Sequence, residues 1–268
     1  MEKNIFFKKV KNSSVEKALF LAYDQGFEHG PKDFNLNNVN PKSIIDIAEK
    51  SKSYTGIILL PGTAEKFYDV KKHSVPIIVK LNSKTSFTNE ILSLQNCSVK
   101  RAKKIGAKAV GYTIYPGSVY EQKMFVELGR IIEEAHKENL KVVVWAYPRG
   151  NNIDELNTDV IAYAARIASE LGADYIKLKY NGDKPGFEWI LKNSGKAKVL
   201  VSGGSKKSIK EEFEIIREVV SLGADGVAIG RNVWQDEKPL SFSKAIESII
   251  FKNYTVDKAL ELYNKGKK

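Results

Sequence analysis

Two lysines one residue apart interrupt an otherwise apolar run, Tyr175-Ile176-Lys177-Leu178-Lys179-Tyr180. If the run is a strand, Lys177 and Lys179 share one face while Ile176 and Leu178 take the other. An ammonium on a covered face is costly unless it is paired or deprotonated. A desolvated lysine beside a second cation has a depressed pKa, and its neutral amine can attack a carbonyl carbon. The chemistry suggested is Schiff-base formation. The plainer alternative is a structural lysine paired with a carboxylate. A second set of residues suggests phosphate. Ser202-Gly203-Gly204-Ser205-Lys206 and Gly230-Arg231 leave backbone N–H groups unobstructed by side chains, the first ahead of a helix near Ser208. Asp24, in Tyr23-Asp24-Gln25-Gly26, and Tyr147, in Trp145-Ala146-Tyr147-Pro148-Arg149-Gly150, add acid–base groups. Alone, the first is more often a turn or helix cap and the second more often packing. Glu28 and His29 fall in the loop after the Asp24 run, and a lone loop histidine is ordinarily just exposed. His73 and His136 fall in helical or loop surroundings, and no histidine–carboxylate cluster with metal-ligand spacing appears, so metal catalysis is not expected.

The elements that must position these groups follow from periodicity. Short β-branched runs alternate with longer amphipathic segments, the pattern of βαβ units on a parallel sheet. Eight strands are predicted, at Ala18–Tyr23, Thr55–Leu60, Pro76–Leu81, Ala107–Tyr115, Lys141–Ala146, Asp174–Lys179, Ala197–Ser202 and Gly226–Ile229. Helical spacing covers Pro41–Lys50, Val119–Glu138, Thr158–Leu171, Ser208–Leu222 and Ser243–Phe251, with a further helix over Tyr254–Tyr263. Gly106-Ala107, Gly172-Ala173 and Gly223-Ala224 recur at helix-to-strand junctions, where glycine supplies a left-handed helix end. The expectation is an α/β fold, a single-domain (β/α)8 barrel over residues 1–268 with an N-terminal extension and a C-terminal helix. An open doubly wound sheet lacks its G-x-G-x-x-G after the first strand. In a barrel the site lies at the carboxyl ends of the strands, where the lysine pair, Asp24, Tyr147 and the two glycine segments fall; Lys177 and Lys179 are expected to point into the barrel, and loops 7 and 8 are the usual phosphate site.

Composition narrows the function classes. The chain has 268 residues and a formal net charge of +11, which raises nucleic acid as a partner. The lysines, however, are scattered in pairs such as Lys71-Lys72, Lys103-Lys104, Lys206-Lys207 and Lys267-Lys268, with no dense block or interleaved aromatics. An anionic metabolite explains the excess better, with no nucleic acid and no membrane expected. A lone Cys97 excludes a disulfide framework or a cysteine-rich zinc site and fits a reducing, cytoplasmic setting. Neither a signal peptide nor a spanning segment is expected.

Taken together, five segments resemble the archaeal-type class I fructose-bisphosphate aldolases, the DhnA family. They are Asp24-Gln25-Gly26-Phe27-Glu28-His29-Gly30-Pro31, Trp145 to Gly150, Gly172 to Tyr180, Val201-Ser202-Gly203-Gly204 and Ile229-Gly230-Arg231-Asn232. The resemblance spans first strand to eighth, and its first and third segments are specific. It implies a metal-independent, cofactor-free lyase that cleaves fructose 1,6-bisphosphate reversibly in glycolysis or gluconeogenesis. By resemblance Lys177 is the Schiff-base residue, a choice the strand pattern leaves open. Asp24 is the carboxylate near the cleaved bond, Tyr147 the proton-transfer residue, and Trp145 and Lys179 belong to the site lining. Ser202, Gly203, Gly204, Gly230 and Arg231 would hold the phosphate of the dihydroxyacetone-phosphate half, and His29 and Arg149 that of the aldehyde half. The resemblance also implies a homo-oligomer, a decamer. The alternative within the family is 2-amino-3,7-dideoxy-D-threo-hept-6-ulosonate synthase or a related transaldolase-type enzyme, whose motif has a small polar residue in place of Leu178 and no second lysine. Lys179 favours the aldolase. Asn181, where the family pattern has threonine, is a departure. A non-catalytic barrel binding a phosphorylated ligand or nucleic acid is the alternative of a different class, and it leaves the lysine pair and Tyr147 unexplained.

Overall fold

The structure, a computed structural model, describes residues 5–204 and 207–266. The apolar runs form β2 (Glu16–Tyr23), β3 (Gly56–Leu59), β4 (Ile77–Lys80), β5 (Ala109–Ile114), β6 (Lys141–Ala146), β7 (Tyr175–Leu178), β8 (Lys198–Ser202) and β9 (Gly226–Ile229), preceded by β1 (Lys8–Lys9). Each of β2 to β9 pairs in parallel with the next, and β2 pairs with β9, in register Ala18↔Gly226, so the sheet closes on itself. This is a (β/α)8 barrel. The strand β1 adds antiparallel to β2, and the extension places Phe6 and Phe7 against Phe20 and Tyr175, filling the amino-terminal end of the barrel.

Because helices cover the outside, both faces of every strand are buried and the strands read as continuous apolar runs. Leu19, Leu21, Ile57, Leu59, Ile77 and Val79 pack outward into the shell of helices. Ala18, Phe20, Ala22, Ile58, Ile78, Val143, Trp145, Tyr175 and Leu200 point inward. Small and large side chains are matched across the interior. A Cβ on Gly111 would come 2.4 Å from the Trp145 ring, so glycine there makes the space for the indole on which the site is built.

The helices at Pro41–Ser51, Glu121–Lys137, Thr158–Leu171, Ile209–Ser221 and Pro239–Lys252 follow the predicted segments, and the terminal helix runs Val256–Lys265. Gly106 and Gly172 end their helices in the left-handed region, at φ of 100° and 103°. Further short helices lie at Gly26–His29, Pro61–Phe67, Val99–Ile105, Lys184–Asn193 and Arg231–Trp234, where periodicity predicts none. Asn181 and Asp183 explain one of them. The Asp183 carboxylate accepts from Gly186 N–H as the N-cap, while Asn181 donates to Leu156 O and Thr158 Oγ1. The departure at Asn181 therefore lies in a loop held by local hydrogen bonds. Among the described residues no helix is long and apolar enough to cross a membrane.

Candidate active site

Alternation along the strands carries the inward rows past the core layer to its carboxyl end. Two residues beyond Ala22 comes Asp24, beyond Ile78 Lys80, beyond Trp145 Tyr147, beyond Tyr175 Lys177 and beyond Leu200 Ser202. Lys80, Lys177 and Asp24 are 6%, 7% and 8% exposed, so two cations and one anion share a nearly dry space. Lys80 Nζ lies 3.5 Å from Asp24 Oδ2, and the Lys80 and Lys177 ammonium groups sit 5.1 and 5.2 Å from the Trp145 ring centre. Burial holds the Lys177 amine below the ordinary lysine value. Asp24 opposes this and the Arg231 charge adds to it. Lys80 is lowered likewise, first by burial, with Asp24 opposing and Lys177 adding. One carboxylate cannot neutralise two ammonium groups. Lys80 holds the contact with Asp24, and Lys177 is the amine freer to lose its proton. Tyr147 is half-buried. Burial and then the Asp24 charge push its hydroxyl above the usual phenol value, against a hydrogen bond with Ser202. It stays a protonated acid at neutral pH.

The expectation that Lys177 and Lys179 both point into the barrel needs correction. β7 ends at Leu178, so Lys179 lies one residue past the last rung. Its side chain is 30% exposed and its Nζ pairs with Glu155 Oε2 at 2.8 Å. The second inward lysine is Lys80 on β4, which sequence reasoning missed. Its signal was present in Ile77-Ile78-Val79-Lys80, since Lys80 shares the face of inward Ile78.

Arg149 stacks 5.0 Å from the Tyr115 ring and pairs with Glu28 Oε1 at 3.0 Å. His29 Nδ1 lies 2.6 Å from Asp33 Oδ2, which also meets Arg231 Nη1 at 3.7 Å. The first loop thus ties His29 towards the strand-8 and strand-9 ends and, through neighbouring Glu28, Arg149 towards β6. The glycine loops do adjoin. Arg231 Nη2 donates to Gly204 O at 3.1 Å, and Asn232 Nδ2 to Gly203 O at 3.1 Å. Gly204 has φ of 66° and open space where a Cβ would stand. One expectation for these loops does not hold. Gly203 N–H is spent on Ala228 O at 3.3 Å, continuing the ladder between β8 and β9. Ser208 caps its own helix through a reciprocal box with Glu211, which takes up the Ser208 and Glu211 N–H groups. Ser205 and Lys206 lie outside the described residues.

An amine of lowered basicity, a carboxylate, a protonated phenol and a cation-rich rim at the carboxyl end of a (β/α)8 barrel define a lysine-dependent barrel enzyme. A family profile described as DeoC/LacD family aldolase matches residues 18–236, and the chain belongs to that family. The class 1 fructose-bisphosphate aldolase of Thermoproteus tenax is 48% identical over 240 residues, 88% of this chain and 90% of that protein. The fructose-bisphosphate aldolase/6-deoxy-5-ketofructose 1-phosphate synthase of Methanocaldococcus jannaschii is 37% identical, over 92% of this chain and 85% of its own. A solved archaeal fructose-1,6-bisphosphate aldolase, its catalytic lysine covalently bound to the carbinolamine intermediate of the substrate, matches with a TM-score of 0.84 and 46% identity. That match covers 88% of this chain and 94% of that one.

Proposed function

We propose that this chain is a class I fructose-1,6-bisphosphate aldolase, cleaving its substrate reversibly to dihydroxyacetone phosphate and glyceraldehyde 3-phosphate, with Lys177 as the Schiff-base residue. The observation that carries the reading is the Lys177 amine, nearly enclosed, lowered in basicity and set beside Asp24 and Lys80 at the end of the barrel. The names of the relatives support the substrate.

The neutral Lys177 amine adds to the C2 carbonyl, and the carbinolamine loses water to give a protonated imine. A proton taken up from solvent leaves with the carbinolamine hydroxyl. The imine then draws electrons from the C3–C4 bond. Asp24, its charge balanced by Lys80 at 3.5 Å, accepts the proton of the C4 hydroxyl, the C3–C4 bond breaks, and the aldehyde leaves. The enamine left on Lys177 is protonated at C3 by Tyr147, a phenol held protonated, and water releases dihydroxyacetone phosphate. Trp145 forms the floor under both lysines. Ser202, Gly204, Gly230 and Arg231 take the phosphate on the C1 side, with Gly203 shaping the loop. Arg149 and Lys179 supply cations and His29 a ring N–H at the rim for the other phosphate, exchanging their present carboxylate partners for it. The reading includes a cytoplasmic homo-oligomer, decameric by resemblance.

Borohydride reduction in the presence of dihydroxyacetone phosphate, followed by peptide mass mapping, should place the triose on Lys177. Label on Lys179 or Lys80 would overturn the assignment, and no label would overturn the mechanism. Steady-state assays with fructose 1,6-bisphosphate beside fructose 1-phosphate and the heptulosonate precursors test the substrate. Turnover confined to the last would establish the synthase instead.

A further inference from the structure

Directly behind the Gly203–Gly204 loop lies a carboxyl group that the mechanism does not use. Glu212 falls in the first turn of the helix Ile209–Ser221 and is 1% exposed. A Cβ placed on Gly203 would come 3.3 Å from Glu212 Oε1, so this oxygen backs onto the loop with no side chain between them. The Asn232 amide is beside the carboxyl, yet neither carboxyl oxygen receives an aligned donor. The Asn232 Oδ1 atom is also buried without a partner, while its Nδ2 holds the Gly203 carbonyl. A buried carboxylate without donors is expensive, and leucine would fill the space at less cost.

Protonation satisfies both groups at once. A carboxylic acid has one O–H to donate, and Asn232 Oδ1 is the neighbouring acceptor that lacks a donor. We propose that Glu212 is the positioning residue of the phosphate loop, acting as a neutral acid whose O–H fixes the Asn232 amide on the Gly203 carbonyl and keeps negative charge away from the bound phosphate. Loss of the proton removes that hydrogen bond and puts an anion behind the loop, so phosphate binding weakens. The inference rests on the phosphate-loop reading above.

Among the described residues, the charged groups around Glu212 are few. The neighbouring Asn232 amide and, after it, Lys207, just ahead of the helix, favour the carboxylate. Glu211, on the same helix, is taken up in the cap at Ser208. Arg231 lies across the loop, held by Gly204 O and Asp33, to which His29 is also bonded. Burial dominates and pushes the Glu212 carboxyl up to about 7. The sign follows. Phosphate disfavours the nearby anion, so affinity is full below this value and falls as pH rises through it.

Sulfate is the probe, because it is a dianion across this range whereas phosphate itself titrates within it. Its inhibition constant against fructose 1,6-bisphosphate should rise about five- to tenfold between about pH 6 and 8.5 in the parent, the size expected if a bound dianion raises the carboxyl by about one pH unit. Glu212→Gln keeps a donor for Asn232 and cannot ionise, so it should retain the low-pH constant and lose this rise. Glu212→Leu offers no donor and should bind sulfate more weakly at every pH, with KM raised and kcat nearly unchanged. A Glu212→Gln profile that still rises like the parent's, or a Glu212→Leu that matches the parent, would overturn the proposal. If sulfate fails to compete with the parent at all, the phosphate-loop reading fails first and this inference with it. Triose trapping at Lys177 reports independently that the rest of the site is intact.

Discussion

Lys80→Met tests the charge arrangement at the heart of the site. The substitution keeps the length of the side chain and removes its charge, leaving Asp24 buried without its contact partner. At the observed 3.5 Å, two unit charges in a surrounding of effective dielectric about 20 attract by about 5 kcal/mol. Stranding one member of such a buried pair typically costs about 3–5 kcal/mol. Lys177 also faces Asp24 and can take over part of the compensation, so the expected loss is smaller, about 2–3 kcal/mol. That takeover has a kinetic sign. With Lys80 gone, Lys177 becomes the sole ammonium beside Asp24 and holds its proton to higher pH. The rising limb of borohydride trapping against pH therefore moves upward, by about tenfold in rate at neutral pH for each unit of displacement. Urea unfolding at matched protein concentration measures the stability. In the double variant Lys80→Met with Asp24→Asn most of the loss should be recovered, since the Asp24 charge goes with its partner and Lys177 is left to lose its proton. If the two single costs merely add, within about 0.5 kcal/mol, and the trapping profile does not move, Lys80 is a bystander and the reasoning is wrong.

Tyr147→Phe keeps the ring and removes the hydroxyl; kcat should fall about 10²–10⁴-fold while triose trapping at Lys177 survives, and near-normal turnover would return Tyr147 to a packing role. Arg231→Ala should chiefly raise KM for phosphorylated substrates and weaken competition by sulfate, because a non-reacting phosphate is bound alike in ground and transition states; an unchanged KM would make the loop an ordinary turn. Lys177→Met should abolish trapping and raise the melting temperature by a few degrees at neutral pH. A lysine lowered in the fold costs stability below its unfolded value of about 10.4, and that gain should vanish at alkaline pH.

Much of this architecture could be read from the chain because parallel strands with two covered faces stand out as apolar runs, and because glycine at 106 and 172 ends helices in a conformation few other residues accept. The shape of the shorter helices could not. Pro61–Phe67 and Val99–Ile105 are seven residues each, too short for an amphipathic period to repeat. Alternation also gives the face of a residue without its depth. Lys179 has the inward parity of Lys177 but comes after the final rung, where its long side chain reaches Glu155. Gly203 has the same difficulty in reverse. Its N–H looks open in the chain, yet pairing between β8 and β9 continues one rung into the loop and consumes it.

The case of the second cation shows why one error did not propagate. Spacing within a strand suggests Lys179 as the neighbour that depresses Lys177, whereas the barrel supplies Lys80 from β4 and Arg231 from beyond β9. Which strand ends meet across a closed sheet depends on stagger and tilt, and neither is written in the local pattern. The largest cause of the lowered basicity, however, is burial, with neighbouring charges second. Burial follows from strand parity and from helices covering the outside, which one chain does reveal. A buried amine of lowered basicity within the Lys177–Lys179 pair therefore follows from the pattern even with its partner misassigned, while the choice of Lys177 comes from the resemblance. The partner decides a different question, namely which of two buried lysines keeps the proton, and that rests on the 3.5 Å contact between Lys80 and Asp24.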